Sequence, residues 1–330
     1  MNPETTSWDR PPGRLRYVAW VPVALFFLFV PLFLPVYLQG ILTKALIFAV
    51  FATSLNLLAG YTGLFSLGHA AFFGLAAYTS SILVVHYGLK SFWLVAPAGV
   101  LMAVLFACMF GFIALRVSGT NFFLVTLALG ELLYSVAIKW KSMTGGTNGL
   151  VNTSAPNVGL SWLPVDPPFF YYLVLGVSAM SLLCLYFVTR SPLGVALQGI
   201  RESEPRMRAL GYNTWLFKYL AFIIASAFAG VAGVLFAYHS RVLVPMHLGV
   251  TTSTLVMLMV IIGSDRVFLG PAVGAMVIIL LEHTSSLYTP ERWPLILGSI
   301  FVIAVMFLRG GISSFLEKTW GKAFYASAKR

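Results

Sequence analysis

The chain has 330 residues, of which 59% are hydrophobic and 9% are charged, and its formal net charge is +11. Such a composition leaves too little polar surface to dissolve a packed domain, which excludes a soluble enzyme or binding module and indicates a polytopic membrane protein. In a soluble chain a charge of +11 would suggest nucleic acid; here the cations sit mainly in short connections, where they set orientation instead, and nucleic acid is excluded as a partner.

Crossing a hydrocarbon core of ~30 Å takes roughly 20 mostly apolar residues. Such runs recur from Tyr17 to Arg309 with no soluble domain between them. Residues 1–16 are polar, and no small-residue cleavage site closes the apolar segment after them, so a retained anchor is expected rather than a signal peptide. The windows predict spans at 17–37, 42–60, 64–86, 92–115, 120–139, 169–189, 218–238 and 293–308. Two shorter apolar segments, 250–262 and 270–282, reach only about 20 Å as helices, which leaves short spans and a re-entrant pair both open. The expected fold class is all-α: a polytopic membrane protein of about 8 to 10 transmembrane segments with short or broken helices and an internal pseudo-repeat.

The first anomaly along the chain is GYTGLFSLGHAAFFGLAAYTS at residues 60–80, where Gly60, Gly63, Gly68 and Gly74 punctuate an apolar run. Each glycine either lets a neighbouring backbone approach closely or permits the helix to unwind. One reading is tight packing of small faces. The other is a discontinuous helix beside a substrate path, because non-helical backbone survives at membrane depth only where protein or a water-filled cavity satisfies it. His69 is either a hydrogen-bonded packing residue or part of that path, and faces the bundle on both readings. Gly63, Ser66, Gly68 and His69 are the path candidates from this stretch.

Glu131 lies near the middle of the 120–139 span, where a carboxylate costs roughly 3 kcal/mol unless it is paired, protonated or hydrated. It should face the bundle, as a hydrogen-bond node or as a pathway residue. The 140–168 connection contains TGGTNGL and reads as an ordered, turn-rich loop. Cys108 and Cys184 fall within apolar runs and read as buried small hydrophobes, and the five histidines show no ligand spacing, so no metal site is expected.

Residues 191–222, SPLGVALQGIRESEPRMRALGYNTWLFKYLAF, are too polar and too long for a hairpin. Ser203 can cap a short helix with Glu204 and Pro205 in its first turn and Gly211 as its stop. Such a helix is either a docking element or an amphipathic segment on anionic membrane lipid, which Arg201, Arg206 and Arg208 would also favour. Further on, Leu269-Gly270-Pro271-Ala272 echoes Leu67-Gly68-His69-Ala70, and paired interruptions in two halves point to a transporter midplane. Gly270 joins the path candidates, while the neighbouring Asp265 and Arg266 read as a solvated turn at the membrane surface.

Lys and Arg are retained on the cytoplasmic side of short loops. Arg10, Arg14 and Arg16 place the N-terminus inside; Arg190, Arg201, Arg206, Arg208 and Lys218 do the same for the 190–217 loop, and Lys318, Lys322, Lys329 and Arg330 for the C-terminus. The parity of the spans agrees. It puts the 140–168 loop outside, with Lys139 and Lys141 pulling mildly the other way.

Four blocks taken in order, LNLLAGYTGLFSLGHAAFFGLAAYTS, GTNFFLVTLALGELLYSVAIKWKSMTGGTNGL, the 191–222 loop and LGPAVGA, resemble the LivM-type permeases of branched-chain amino acid ABC importers from about residue 45 to 310. The resemblance implies a bacterial inner-membrane subunit that pairs with a LivH-type permease, binds two ABC ATPase subunits carrying ATP and Mg, and receives substrate from a periplasmic binding protein. It implies a coupling helix containing Glu204, Ala209, Leu210 and Gly211. Pro205, Arg206, Met207 and Arg208 depart from the family's small or acidic residues there and imply a more basic contact with a matched ATPase. The domain organisation that follows is a cytoplasmic segment 1–16, a permease domain 17–310 with its coupling loop at 190–217, and a cytoplasmic tail 311–330. The chain has no G-x-x-x-x-G-K-[ST] phosphate loop, so it is expected to hold no cofactor and to catalyse no hydrolysis itself. Branched-chain amino acids, other amino acids, urea and short amides, and small aromatic acids all remain open as substrates. A secondary transporter, with Glu131 and His69 as proton sites, is the alternative; a membrane enzyme would need convergent catalytic groups that the sequence does not offer.

Overall fold

The computed structural model describes residues 27–31, 33–89, 91–151 and 167–288, together with 295, 296, 298, 299 and 302. The expected 1–16 segment, most of the 17–37 and 293–308 spans, the 311–330 tail and the cations at both termini lie outside the described residues. The principal helices are α1 (Val36–Thr62), α2 (His69–Val85), α3 (Phe92–Ala114), α4 (Thr120–Lys139), α5 (Pro167–Arg190), α6 (Pro192–Glu202), α7 (Glu204–Ala209), α8 (Thr214–Ser240), α9 (Val250–Gly263) and α10 (Gly270–Tyr288). Among them α1, α3, α4, α5 and α8 are long and apolar enough to cross a membrane, whereas α2 and α9 are shorter apolar helices.

The 27 residues of α8 reach about 40 Å, from the α6–α7 loop at one end of the bundle to a small β-ladder at the other. In that ladder β1 (Leu150–Val151) pairs antiparallel with β2 (Val242–Leu243), with Leu150 opposite Leu243. The end that carries α6 and α7 is called the basic end below. The turn-rich reading of TGGTNGL holds: one helical turn at Lys141–Thr144 and a 3₁₀ turn at Gly146–Asn148 lead into β1.

The spans at 92–115, 120–139, 169–189 and 218–238 match α3, α4, α5 and α8 to within a few residues. The differences fall at the glycines and prolines. Pro35 stands before α1, so that helix starts at Val36, ahead of the expected 42. The expected 64–86 span begins late, because α1 ends at Gly63 in the left-handed conformation, φ 74°, and residues 63–68 are not helical. His69, the first residue of α2, pairs with Ser54. Ser54 lies eight residues before the end of α1, so the non-helical strand climbs about 12 Å back into the bundle before α2 starts.

A second helix also starts inside the bundle. After β2 the chain turns inward through the 3₁₀ segment Pro245–Leu248, and Val250, the first residue of α9, meets Glu131 half-way along α4. Helix α9 runs from there to the basic end, turns at 264–269, and α10 returns as 19 residues, longer than the 270–282 segment foresaw. The open choice over 250–282 thus resolves into a half-length helix followed by a fuller one.

Helix α1 is the axis of the bundle: 83% of its apolar window is buried, against 33% or less in α3, α4 and α5. Phenylalanines tie it to α2 and α8. Phe51 stacks on Phe73 at 4.4 Å between ring centres, and Phe73 lies 5.2 Å from Phe236. Phe72 meets Phe222 edge-on at 5.4 Å, the arrangement that ring quadrupoles prefer. Both cysteines are free, but burial holds for neither: Cys108 is half-buried and Cys184 is exposed on the outer face of α5, where lipid can cover an apolar thiol without a core position.

Gly68 shows how close the packing is at the break, since a Cβ there would overlap the backbone carbonyl of Thr126 on α4. Backbone cannot yield as a flexible side chain can. Gly68→Val should therefore destabilise the protein by about 3 kcal/mol, seen as a lowered Tm in detergent; an unchanged Tm would contradict the contact.

Candidate functional site

Helices that start inside a bundle leave their first N–H groups without intrahelical partners, and lipid offers none. Here side chains of neighbouring helices receive both starts. The Ala70 N–H of α2 donates to Ser253 Oγ of α9 at 3.0 Å, and the Val250 N–H of α9 donates to Glu131 Oε1 of α4 at 3.2 Å. Glu131 thus places a carboxylate at the positive end of a helix dipole, where an anion is stabilised. Its node role has a named partner.

His69 is fully enclosed and stacks on Phe51 at 5.5 Å. The Ser54 hydroxyl donates to the Phe51 carbonyl at 2.7 Å, so its oxygen accepts from His69 Nε2 at 3.0 Å and the ring carries its proton there. Among the described residues Nδ1 has no partner, and neither does the buried Ser66 hydroxyl. Gly63 is exposed beside Phe65, and Gly68 is buried against α4. Gly270 opens α10 and packs directly on the carbonyls of Gly263 and Ser264. The structure gathers Ser66, Gly68, His69 and Glu131 around the two interior helix starts, while Gly63 and Gly270 lie nearer the basic end.

At the basic end the loop folds as two helices where the sequence announced one. Ser191 and Pro192 start α6, which buries Gly194, Ala196, Leu197 and Ile200 and exposes Val195. Ser203 occupies the N-cap position of α7 as expected, but its side chain makes no capping bond. Gly211 closes α7 at φ 88°, with Gly211 N–H on the Arg208 carbonyl and Tyr212 N–H on the Met207 carbonyl. That pair of bonds is a Schellman close, which needs a left-handed residue at this position.

No residue of α7 is buried, and Arg206, Arg208, Ala209, Leu210 and Tyr212 are exposed. Two attachments hold it in place. Met207 packs on Gly199 of α6. Glu204 is the polar hub, accepting from Lys218 Nζ at 2.6 Å on one oxygen and from Arg208 Nη2 at 2.7 Å and Thr214 Oγ1 at 3.0 Å on the other. Burial by itself would raise the Glu204 carboxyl, but the hydrogen bonds from Lys218, Thr214 and Arg208 and the Lys218 charge outweigh it and hold the group below its ordinary range. The Asn213 side chain then caps α8 by accepting from the Leu216 N–H at 3.2 Å.

Three further charged residues matter, one of them read otherwise from the sequence and two not singled out by it. Asp265 is not a freely solvated turn residue, since its carboxylate pairs with Arg201 at 2.7 Å across 64 positions of sequence. Nearer the opposite end, Lys44 on α1 pairs with Glu282 on α10 at 2.8 Å. A lone lysine inside the 42–60 span was the available signal, because an intramembrane charge demands a partner. Its partner lay too far along the chain to be named.

The profile described as "Branched-chain amino acid transport system / permease component" matches residues 37–309. The chain belongs to this permease family. The permease is 30% identical to the high-affinity branched-chain amino acid transport system permease protein LivM of Escherichia coli (strain K12), over 82% of this chain and 69% of that one. It is 29% identical to LivM of Salmonella typhimurium over the same shares. To the permease protein LivH of Escherichia coli (strain K12) it is 22% identical, over 78% of this chain and 88% of that one. No solved structure matches it. It is a multi-pass membrane transport subunit of a system with other components.

Removing the Glu204 carboxylate would leave Lys218, whose side chain is only 12% exposed, without its partner. Glu204→Ala should cost about 2 kcal/mol and lower the Tm in detergent. The folded carboxyl titrates below its unfolded value of about 4.3, so its contribution is fully present above that pH and fades as the pH falls below it. The Tm difference between wild type and Glu204→Ala should accordingly stay constant between about pH 6 and 8 and shrink below about pH 4.

Proposed function

We propose that this permease is one of two membrane subunits of an ATP-driven importer in the bacterial inner membrane, with both termini and the basic end in the cytoplasm. Its cargo is a branched-chain amino acid or a related small amino acid or amide. The second membrane subunit is a LivH-type permease, two ABC ATPases bind and hydrolyse ATP with Mg, and a periplasmic binding protein delivers the substrate. Transport proceeds by alternating access, in which ATPase closure displaces the basic-end loop and rocks the helices around the path.

The observation that carries this reading is α7, a helix with no buried residue, held through Glu204 and Met207 and presented beyond the bundle. A helix so short and so exposed gains little from its own fold, and its rigid attachment suits a part that receives a push. Glu204 anchors it, Gly211 closes it, and Arg206, Arg208, Ala209 and Leu210 form the surface offered to an ATPase. The interior starts of α2 and α9, with Gly63, Ser66, Gly68, His69, Glu131 and Gly270, support a path along the broken helices, since backbone of this kind belongs beside a cavity or a moving joint.

Affinity purification of the tagged permease in mild detergent should recover a second permease and ATPase subunits, and the reconstituted complex should import leucine or valine only with ATP and its binding protein. Uptake by the isolated chain on an ion gradient would overturn the reading. A side chain in the left-handed region costs about 1–2 kcal/mol, a roughly tenfold shift of the α7 turn's equilibrium from closed toward open. Gly211→Val should insert and assemble normally yet lose uptake by about that factor.

A further inference from the structure

We propose that Arg201 is the positioning residue that carries displacement of α7 into the two breaks of the permease chain, at 63–68 and 264–269. The proposal rests on the coupling role of α7 and names the joint through which that role acts.

Arg201 is the penultimate residue of α6, two positions before the Ser203 that begins α7. Because Met207 of α7 packs on Gly199, the end of α6 and all of α7 form one body. From that body the Arg201 guanidinium reaches two elements at once. Nη1 donates to the Gly60 carbonyl in the last turn of α1, just before the 63–68 break, and Nη2 pairs with Asp265 Oδ2 at 2.7 Å inside the 264–269 break. A planar fork with several donors suits such a double grip, and a lysine ammonium on one stem does not. The last turn of α1 also touches the second break directly, since Gly60 packs on the Asp265 backbone carbonyl as well as on the Asn56 side chain of its own helix.

Asn56 supplies an independent sign that this joint has a second arrangement. Its side chain is 1% exposed, and neither its amide nitrogen nor its amide oxygen has a hydrogen-bond partner among the described residues. An unpaired buried amide is costly, and a shift of Gly60 and Asp265 against each other is the motion that would offer it one. Arg201 holds those two groups in their present relation. When α7 moves, Arg201 moves with it; the carbonyl of α1 and the carboxylate of the α9–α10 turn are then pulled or released together.

The test compares wild type, Arg201→Gln, Arg201→Lys, Arg201→Asp, Asp265→Arg and the double exchange Arg201→Asp/Asp265→Arg in the reconstituted importer, with Gly211→Val in parallel. ATP hydrolysis, substrate uptake, subunit recovery and Tm are read for each. In Arg201→Gln, subunit recovery and ATP hydrolysis should stay at wild-type level while uptake falls roughly tenfold, the size of a typical coupling between sites. Arg201→Lys, which keeps the charge but not the fork, should fall between the two. The double exchange should regain part of the uptake that each single reversal loses, which general loss of stability would not produce. Normal uptake in Arg201→Gln with Gly211→Val defective would overturn the Arg201 proposal and leave the coupling role of α7 intact. Normal uptake in both would overturn the coupling role itself. An equal fall in hydrolysis, recovery and uptake, without recovery in the double exchange, would reduce Arg201 to a stabilising contact and also overturn the proposal.

Discussion

Backbone polar groups inside a membrane must find partners within the protein, and this requirement organises the permease. Two helices, α2 and α9, begin in the interior, where unpaired N–H groups would each cost several kcal/mol in hydrocarbon. The solution is a relay: a serine of α9 receives the start of α2, and a carboxylate of α4 receives the start of α9. Neither helix can move far without exposing a donor, so the three elements shift together or not at all.

Around that constraint the bundle divides into a fixed part and a part with joints. Helix α1 and the aromatic contacts with α2 and α8 form the fixed part, large rings packed directly on one another. The α9–α10 hairpin is tied to its neighbours by ionic contacts toward its two ends, Lys44 of α1 with Glu282 and Arg201 of α6 with Asp265. All four side chains are between 28% and 32% exposed, so neither pair is sealed in the core and neither pays the full desolvation cost of a buried ion pair. Such contacts can hold one arrangement and give way to another.

The loop at the basic end follows a similar rule at smaller scale. No residue of helix α7 is buried, so its position is set by a few contacts, those of Glu204 with Lys218 and Thr214, of Arg208 with Thr214 and of Met207 with Gly199. Lys218, Arg208 and Thr214 converge on one carboxylate, and the local excess of positive charge is thereby partly neutralised without any acid being added to the exposed surface. What remains outward is basic and apolar, a surface that an acidic cleft can accept.

Much of this was legible in the chain. Uninterrupted apolar runs fixed α3, α4, α5 and α8, because a span depends on length and hydrophobicity, which are local properties. Glycines announced the breaks and the stop of α7 for the same reason, since a left-handed φ at Gly63 or Gly211 is a property of one residue. Glu131 and His69 were visible as anomalies, but their partners Val250 and Ser54 are brought beside them only by folding. The same holds for Asp265, read as solvated until Arg201 arrived from another helix. Sequence determined where the chain could be helical and which groups would be costly to bury; the tertiary structure decided how those groups were paid for, because hydrogen bonds and ion pairs join residues by distance in space and carry no mark of their partners along the chain.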